Sequence, residues 1–184
     1  MDDCVVIAIH CGHCLAFCRP GAESWIAVGN YPYWFEDIIF YNGKLYAITS
    51  QFDLMLVELG SHPKVTSCSI TPPKVELSFT SFYLVECLRE LLMAIKCCTF
   101  KIFKLDPKGP CWIKIEDLDD QMLFIGTRIG FSLSALDYPG FKGNYIYFTD
   151  DSNNGLASVF HLEDSSSIET FSSNCSHSSP SLPI

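Results

Sequence analysis

The sequence predicts an all-β protein built as part of a β-propeller. Short apolar runs of four or five residues, rich in β-branched and aromatic side chains, recur between turn signals along the chain. In runs such as "YIYF" at 145–148 both strand faces are apolar, yet few segments are long enough to supply the crossover helices of a parallel sheet. A propeller buries both faces because each blade lies between two neighbours.

A repeat supports the same architecture. "PGAESWI" at 20–26 and "PKGPCWI" at 107–113 each place a proline five residues before a Trp-Ile pair, and Trp25 and Trp112 are 87 positions apart. That distance is two periods of about 44 residues, and propeller repeats run roughly 40–50 residues per blade. The chain therefore has room for about four blade units of antiparallel strands.

The apolar runs define the predicted strands in chain order. They lie at 5–9, 38–41, 44–48, 54–57, 82–85, 100–103, 122–125 and 145–148. Asn42-Gly43 separates two of these runs and predicts a tight hairpin, because both residues tolerate positive φ. In "FYLVECLRELLMAIK" at 82–96, by contrast, the apolar side chains follow the spacing of an amphipathic helix, at Leu84, Leu88, Leu91 and Ile95. The periodicity alone predicts a helix there.

The organisation predicted is one propeller domain over residues 1–163 and a tail over 164–184. The tail contains nine serines in 21 residues and ends "SSPSLPI". Such a composition buries too little apolar surface to repay the entropy of ordering the chain. We therefore expect most of the tail to be flexible.

Composition excludes several classes of function. The 184 residues are 48% hydrophobic and 18% charged, with a formal net charge of −9, so no basic face for nucleic acid is expected. The longest apolar runs have five residues, against roughly 20 needed to cross a bilayer. The acidic start "MDDC" lacks the basic end of a signal peptide, and ten cysteines then indicate free thiols in a reducing compartment. An intracellular protein, cytoplasmic or nuclear, is expected.

Several segments resemble one family. "CWIKIEDLDDQMLFIGTRIGFSLSALDYPGFKGNYIYFTDD" at 111–151 is similar to the C-terminal part of the plant F-box-associated β-propeller domain of KIB type. Weaker similarities lie at 15–28, 37–49, 82–96 and 100–107, so that the resemblance covers about residues 5–163. It implies a kelch-like propeller and, at 82–96, a hairpin in place of a helix.

The sequence departs from the family pattern in three places. Leu88 and Arg89 stand where the family has a hairpin glycine, and Leu182 stands roughly where a closing tryptophan is expected. The F-box and the first blades are absent, which predicts a truncated product. An incomplete ring would expose the outer faces of its first and last blades, and we expect the chain to be poorly stable and prone to associate.

The resemblance implies a binding role. In the family, the F-box docks a ubiquitin-ligase scaffold and the propeller presents target proteins. Without an F-box, this chain would bind a target protein of unknown identity and would not bind the scaffold. Two alternatives stay open: a small hydrolase on a propeller, and a domain stabilised by a metal at its Cys/His cluster.

One candidate calcium site lies at 150–161. Asp150, Ser152, Asn154 and Gly155 match the first half of a calcium loop, but position twelve is His161 where a bidentate acid is needed. The same residue types favour any polar turn. We interpret the segment as a strand that ends in a hairpin turn.

A candidate zinc site lies in "HCGHC" at 10–14. Cys11 and Cys14 have a zinc-ligand spacing, His10 or His13 could add a ligand, and Cys4 and Cys18 are near in sequence. A second pair at that spacing is missing, because Cys97 and Cys98 are adjacent. Gly12 is also a natural hairpin turn. We predict no specific zinc or calcium binding and no cofactor.

Sequence signatures of catalysis are absent. "GFSLS" at 130–134 lacks the closing glycine of a nucleophile elbow, and no phosphate-binding glycine loop occurs. Asp119-Asp120 lies in a polar turn, where solvated carboxylates are expected. Trp25, Trp112 and "YPYW" at 31–34 are interpreted as blade packing, although the last stretch adjoins a turn and could line a recognition surface. The chain is predicted not to be an enzyme.

Overall fold

The computed structural model describes residues 4–10, 12–29, 33–75, 81–97, 99–127, 129–150, 156–163 and 168–171, which form four sheets arranged as propeller blades. Blade 1 contains β1 (Val6–His10), β2 (Cys14–Cys18) and β3 (Ile26–Val28) in spatial order. Blade 2 contains β4 (Phe35–Tyr41), β5 (Lys44–Thr49), β6 (Leu54–Glu58) and β7 (Lys64–Ser67). The all-β prediction is confirmed.

Blades 3 and 4 complete the described part of the chain. Blade 3 contains β8 (Ser81–Cys87), β9 (Glu90–Lys96), β10 (Phe100–Leu105) and β11 (Trp112–Ile115). Blade 4 contains β12 (Gln121–Gly126), β13 (Ile129–Ser134), β14 (Tyr145–Asp150), β15 (Leu156–His161) and β16 (Ile168–Phe171). All eight apolar runs quoted from the sequence contribute to strands. The described residues include no helix long and apolar enough to cross a membrane.

The repeat of the two Trp-Ile pairs is confirmed as a blade repeat. Trp25 directly precedes β3, and Trp112 begins β11; each strand is the outermost of its sheet. Blades 1 and 3 are two blades apart, as two periods require. Their environments differ, since the side chain of Trp25 is 54% exposed and that of Trp112 only 8%.

The helix indicated by the periodicity of 82–96 is wrong, and the hairpin implied by the family resemblance is correct. β8 and β9 pair antiparallel, with Leu84 opposite Met93, around a turn at Leu88-Arg89. Both faces of this hairpin are buried, so nearly every position is apolar and a helical stripe appears within the pattern by coincidence. The predicted hairpin at Asn42-Gly43 is confirmed, and both residues have positive φ.

Blade 4 departs from the expected series of consecutive antiparallel hairpins. Its spatial order is β13-β12-β14-β15-β16, and β12 pairs in parallel with β14. The reason is that β13 folds back along the inner edge of β12, and residues 135–144, which include a 3-10 turn at Ala135–Asp137, then return the chain to the other side of β12. β13 thereby becomes the strand that lies against β8 of blade 3.

The core consists of three interfaces between successive blades. The interface of blades 1 and 2 includes Ile9, Leu15, Phe17, Phe35, Ala47 and Met55. The interface of blades 2 and 3 includes Ile48, Leu54, Phe82, Leu91, Met93 and Trp112. The interface of blades 3 and 4 includes Val85, Leu92, Ala94, Leu123, Ile146 and Phe160. Because strand side chains alternate, neighbouring residues such as Leu84 and Val85 serve opposite interfaces.

One buried carboxylate joins the inner strands of blades 2 and 3. Asp37 in β4 is only 1% exposed, and its carboxylate accepts hydrogen bonds from the N–H groups of Ile38 (2.8 Å) and Leu84 (2.7 Å). Leu84 lies on β8, and its N–H is on the inner edge of the sheet, where β9 provides no acceptor. The Asp37 carboxylate provides that acceptor from blade 2. A buried amide without an acceptor would be costly, and Asp37 removes that penalty where the two strands meet.

The segment 164–184, predicted as a flexible tail, is described only in part. Residues Ile168–Phe171 form β16, which pairs antiparallel with β15. Residues 164–167 and 172–184, including Leu182, lie outside the described residues. The domain boundary at residue 163 therefore stays a prediction.

Candidate interaction surface at the inner turns

Two hairpin turns of the inner strands meet at one end of the propeller. The β4–β5 turn lies at Asn42-Gly43, and the β8–β9 turn lies at Leu88-Arg89. The hydroxyl of Tyr41 donates a hydrogen bond to the carbonyl oxygen of Arg89 at 2.9 Å, which holds the two turns together. Neighbouring blades thus present their turns as one continuous surface.

A cavity of about 440 Å³ opens beside these turns. It is lined by Ile39, Phe40, Glu86, Leu88, Arg89, Gly130, Phe131 and Ser132. We call the surface formed by Phe40, Glu86, Leu88 and Arg89 the turn face. Its apolar members are highly exposed, Phe40 at 69% and Leu88 at 66%. Two large exposed apolar side chains beside opposite charges are typical of a surface that binds another protein.

The Leu88-Arg89 turn has an unfavourable backbone conformation. The φ angles are +51° at Leu88 and +63° at Arg89, in the left-handed region that costs residues with a Cβ roughly 1–2 kcal/mol each. The turn is held from both sides, since Tyr41 binds Arg89 from blade 2 and the Ser132 hydroxyl donates to the carbonyl oxygen of Glu86 (2.8 Å) from blade 4. Strain that is imposed by neighbours at an exposed position points to a use for the two side chains.

The floor of the cavity depends on a close approach of β13 to β8. A Cβ atom on Gly130 would lie 2.7 Å from Cγ2 of Val85 and 3.2 Å from the carbonyl oxygen of Leu84. Only glycine fits at this distance without a shift of blade 3. β13 can therefore lie flat against β8 and bring Ser132 to the base of the strained turn.

The candidate zinc ligands do not assemble in the described residues. His10 and Cys14 pair across the β1–β2 hairpin, whose turn lies at Gly12-His13. The Nδ1 atom of His13 lies 3.1 Å from the carbonyl oxygen of Phe35 and 3.7 Å from Oε1 of Glu36, so this ring connects blade 1 to blade 2. No group of three metal-ligating side chains occurs in the described residues, and Cys11 and Cys98 lie outside them.

The two strands that flank the candidate calcium loop pair antiparallel. Asp150 ends β14, and its backbone pairs with Leu156 at the start of β15. His161 lies at the opposite end of β15, where it pairs with Tyr145 and stacks on its ring at 4.6 Å. His161 lies five positions further along the extended strand than Leu156, or about 17 Å, and is therefore far from the end of β14 at Asp150. Residues 151–155, which hold Ser152, Asn154 and Gly155, lie outside the described residues.

The remaining sequence candidates have structural contacts. Asp120 accepts a hydrogen bond from the Ser134 hydroxyl at 2.9 Å, and this bond, together with one from the side chain of Gln121, lowers the pKa of its carboxyl. Asp119 is exposed in the turn that precedes β12. In the "YPYW" stretch, residues 31 and 32 lie outside the described residues. Trp34 is 56% exposed, and the centroid of its ring lies 5.7 Å from that of the His13 ring. Trp34 adjoins the β1–β2 turn, away from the turn face.

Sequence reasoning alone missed the turn face and the cavity beside it, because the residues that form them come from three separate segments. Phe40 lay in one predicted strand, Leu88 and Arg89 lay in a segment whose periodicity predicted a helix, and Gly130 and Ser132 lay in a motif tested for catalysis. The one available signal was the replacement of the family's hairpin glycine by Leu88 and Arg89. That departure marks the strained turn.

Comparison with known proteins gives a consistent result. The sequence model of the KIB1-4 beta-propeller family matches residues 1–169 of this chain. The chain is similar to F-box protein SKIP23 of Arabidopsis thaliana, at 23% identity over 82% of this chain and 43% of that protein. It is also similar to F-box protein At2g26160 of the same plant, at 24% identity over 73% of this chain and 46% of that protein.

A shorter match has a higher sequence identity. F-box protein At2g17690 of Arabidopsis thaliana is 37% identical over 67 residues, which are 36% of this chain and 16% of that protein. The chain thus spans less than half the length of each of these relatives. No solved structure matches.

Proposed function

The chain belongs to the KIB1-4 β-propeller family, and from this premise we propose that it is a protein-interaction module that binds a target protein at its turn face. The observation that carries the proposal is the strained Leu88-Arg89 turn, held by Tyr41 and Ser132, with Phe40 exposed beside it. Aromatic and arginine side chains are enriched among the residues that dominate binding energy.

The relatives suggest the setting of this interaction. They are named as F-box proteins, and this chain corresponds to less than half of each. We propose that it resembles their target-recognition part and that a ubiquitin-ligase scaffold does not bind its propeller. The charge of −9 argues against a nucleic-acid partner, and the free cysteines favour a reducing, intracellular compartment.

We propose no catalytic role for Ser132 or Ser134. The Ser132 hydroxyl donates to a backbone carbonyl, and Ser134 caps the 3-10 turn and binds Asp120. Neither serine has a histidine among its described hydrogen-bond partners, so neither has the base that a serine nucleophile needs.

The test compares a turn-face variant with a matched control. L88N/R89G replaces the turn with residues that prefer positive φ, so it removes both side chains while keeping the hairpin. The control K114A/E116A removes an exposed ion pair (2.7 Å) on the outermost strand of blade 3. Each tagged protein is incubated with plant extract, bound proteins are quantified by mass spectrometry, and a candidate is then purified and titrated by calorimetry.

We expect the target to be retained by the wild type and by K114A/E116A and to be lost with L88N/R89G. Removal of residues that dominate binding costs about 2 kcal/mol or more, so the dissociation constant should rise about 30-fold or more. Equal binding by all three proteins would contradict the proposal. A binder lost only with K114A/E116A would move the interaction to the outer edge of blade 3.

A further inference from the structure

The charges around the turn face indicate which kind of target segment fits it, an inference that rests on the function proposed above. Arg89 is one of two arginines in the described part of the chain. The other, Arg19, donates to the carbonyl oxygen of Leu59 (3.0 Å) and lies over the ring of Phe17 (5.9 Å). Arg89 is exposed, and its guanidinium makes no ion pair with a described residue, although the chain has 21 acidic residues against 12 basic ones. It is therefore available to an anion from another molecule.

A second cation lies beside the same pair of turns. Lys44 follows the Asn42-Gly43 turn, pairs with Tyr41 across the β4–β5 hairpin and is exposed. The Tyr41 hydroxyl donates to the carbonyl oxygen of Arg89 at 2.9 Å, so one tyrosine connects the two cationic turns. Lys44, like Arg89, has no ion pair among the described residues. The two turns that meet thus present two positive charges without an acidic partner.

The two acidic residues of the β8–β9 hairpin have different surroundings. Glu90, directly after the turn, accepts a hydrogen bond from Nζ of Lys104 at 3.2 Å. Glu86 lines the cavity, is exposed and makes no ion pair with a described residue. The net charge of −9 matters less than these local charges, because salt at cellular ionic strength screens exposed charges beyond about 8 Å. Two cations and one anion are thus open to a partner.

The cation at the apex of the β8–β9 turn has apolar neighbours. Leu88 precedes Arg89 and is 66% exposed, and Phe40 on the adjoining hairpin is 69% exposed. An apolar group that covers these two side chains excludes water and strengthens an ionic contact at Arg89. The planar guanidinium matches a carboxylate with two parallel hydrogen bonds. Glu86 disfavours a doubly charged phosphate more than a singly charged carboxylate.

We propose that the turn face binds a target segment in which an Asp or Glu side chain lies next to a large apolar side chain. The carboxylate binds Arg89, Lys44 adds to the attraction, and the apolar side chain packs on Leu88 and Phe40. Glu86 repels a second acid, so that a single acid is preferred to an acidic run. A basic segment meets two positive charges and is disfavoured.

The probe is a library of random peptides displayed on phage, selected in parallel on the full chain and on L88N/R89G. Peptides enriched on the wild type alone are sequenced, and one is synthesised in three forms. Its acid is kept, replaced by the corresponding amide, or replaced by lysine. Each form is titrated by fluorescence anisotropy against the wild type, R89Q, K44Q, E86Q and the control K108Q. Lys108 is exposed in the loop between β10 and β11, so K108Q removes the same charge as R89Q at a distant loop. Thermal melting checks that every variant is folded.

We expect the enriched peptides to contain an acid next to a large apolar residue. A hydrogen bond to a charged group contributes enough that R89Q, or the amide form of the peptide, should raise the dissociation constant about tenfold or more. K44Q should raise it about threefold, and E86Q should lower it about twofold, as expected for exposed charges. K108Q should change it by less than about twofold. The amide peptide should bind R89Q and the wild type about equally, because the interaction between the acid and Arg89 is then already absent.

Two other results overturn the acidic segment but keep the turn face as the binding site. The first is a set of enriched peptides that carry a base and that E86Q weakens. The second is a set of enriched peptides that bind R89Q as tightly as the wild type. If the same peptides are enriched on the wild type and on L88N/R89G, or none is enriched on either, the function proposed for the turn face is wrong, and the acidic segment with it.

Discussion

The buried carboxylate of Asp37 should be a principal link between blades 2 and 3. We expect Asp37→Asn to destabilise the protein because the amide keeps the shape of the side chain but carries no charge and has only one acceptor atom. In the wild type, Oδ1 of Asp37 lies 2.8 Å from the Ile38 nitrogen and Oδ2 lies 2.7 Å from the Leu84 nitrogen. In D37N one of these oxygens is replaced by an NH2 group, which donates, so one of the two backbone N–H groups loses its acceptor.

The magnitude follows from these contacts. A hydrogen bond to a charged group contributes about 1.5–3 kcal/mol, and a buried donor left without an acceptor costs about 1–3 kcal/mol. We expect a loss of about 3 kcal/mol in the free energy of unfolding for D37N. For a domain of this size, about 3 kcal/mol corresponds to a fall of about 6–12 °C in the melting temperature.

The assay is urea unfolding at neutral pH, followed by tryptophan fluorescence, beside the control D137N. Asp137 is exposed in the 3-10 turn, and its substitution should change the free energy of unfolding by less than about 0.5 kcal/mol. Hydrogen exchange of the Leu84 amide adds a local readout, since its protection should fall in D37N. The reasoning is refuted if D37N is as stable as D137N and the Leu84 amide stays fully protected.

Three further predictions concern the inner strands. L88N/R89G should relieve left-handed strain and stabilise the protein by about 1–2 kcal/mol, seen as a higher melting temperature; a lower one would show that the turn is not strained. Gly130→Ala should cost about 2 kcal/mol through its collision with blade 3, whereas Gly60→Ala should be nearly neutral in the same thermal melt, because its new Cβ atom would lie 4.0 Å from the backbone nitrogen of His62. Burial raises the pKa of the Cys87 thiol above its ordinary 9.0, so the thiol loses its proton at a lower pH in the unfolded chain than in the folded one. The contribution of Cys87 to the free energy of unfolding therefore falls as the pH rises above about 9. C87A should flatten that alkaline fall in urea titrations; an unchanged slope would contradict the burial.

The sequence predicted the strands well and the arrangement of blade 4 poorly. Strand positions follow from local apolar runs and turn residues, as Asn42-Gly43 illustrates. The parallel pairing of β12 with β14 depends on where β13 inserts, and that is decided by the close approach of Gly130 to Val85 in another blade. No local pattern contains this long-range contact.

The candidate site was less predictable for the same reason. Single segments suggested metal loops around Asp150 and His13, because ligand spacing is a local property. The turn face and the cavity beside it form only when Phe40, Leu88 and Ser132 are brought together from three blades. The helical spacing of 82–96 further hid the turn, since a hairpin with both faces buried contains a helical stripe by coincidence.

The most direct test of the blade arrangement is a nuclear Overhauser measurement on isotopically labelled protein. We predict a cross-strand contact between Leu84 and Met93 within blade 3, and a contact between the α-protons of Gly130 and a methyl group of Val85 between blades 3 and 4. Contacts between residues three apart throughout 82–96, with no signal between Gly130 and Val85, would indicate a helix and would contradict both the hairpin and the propeller.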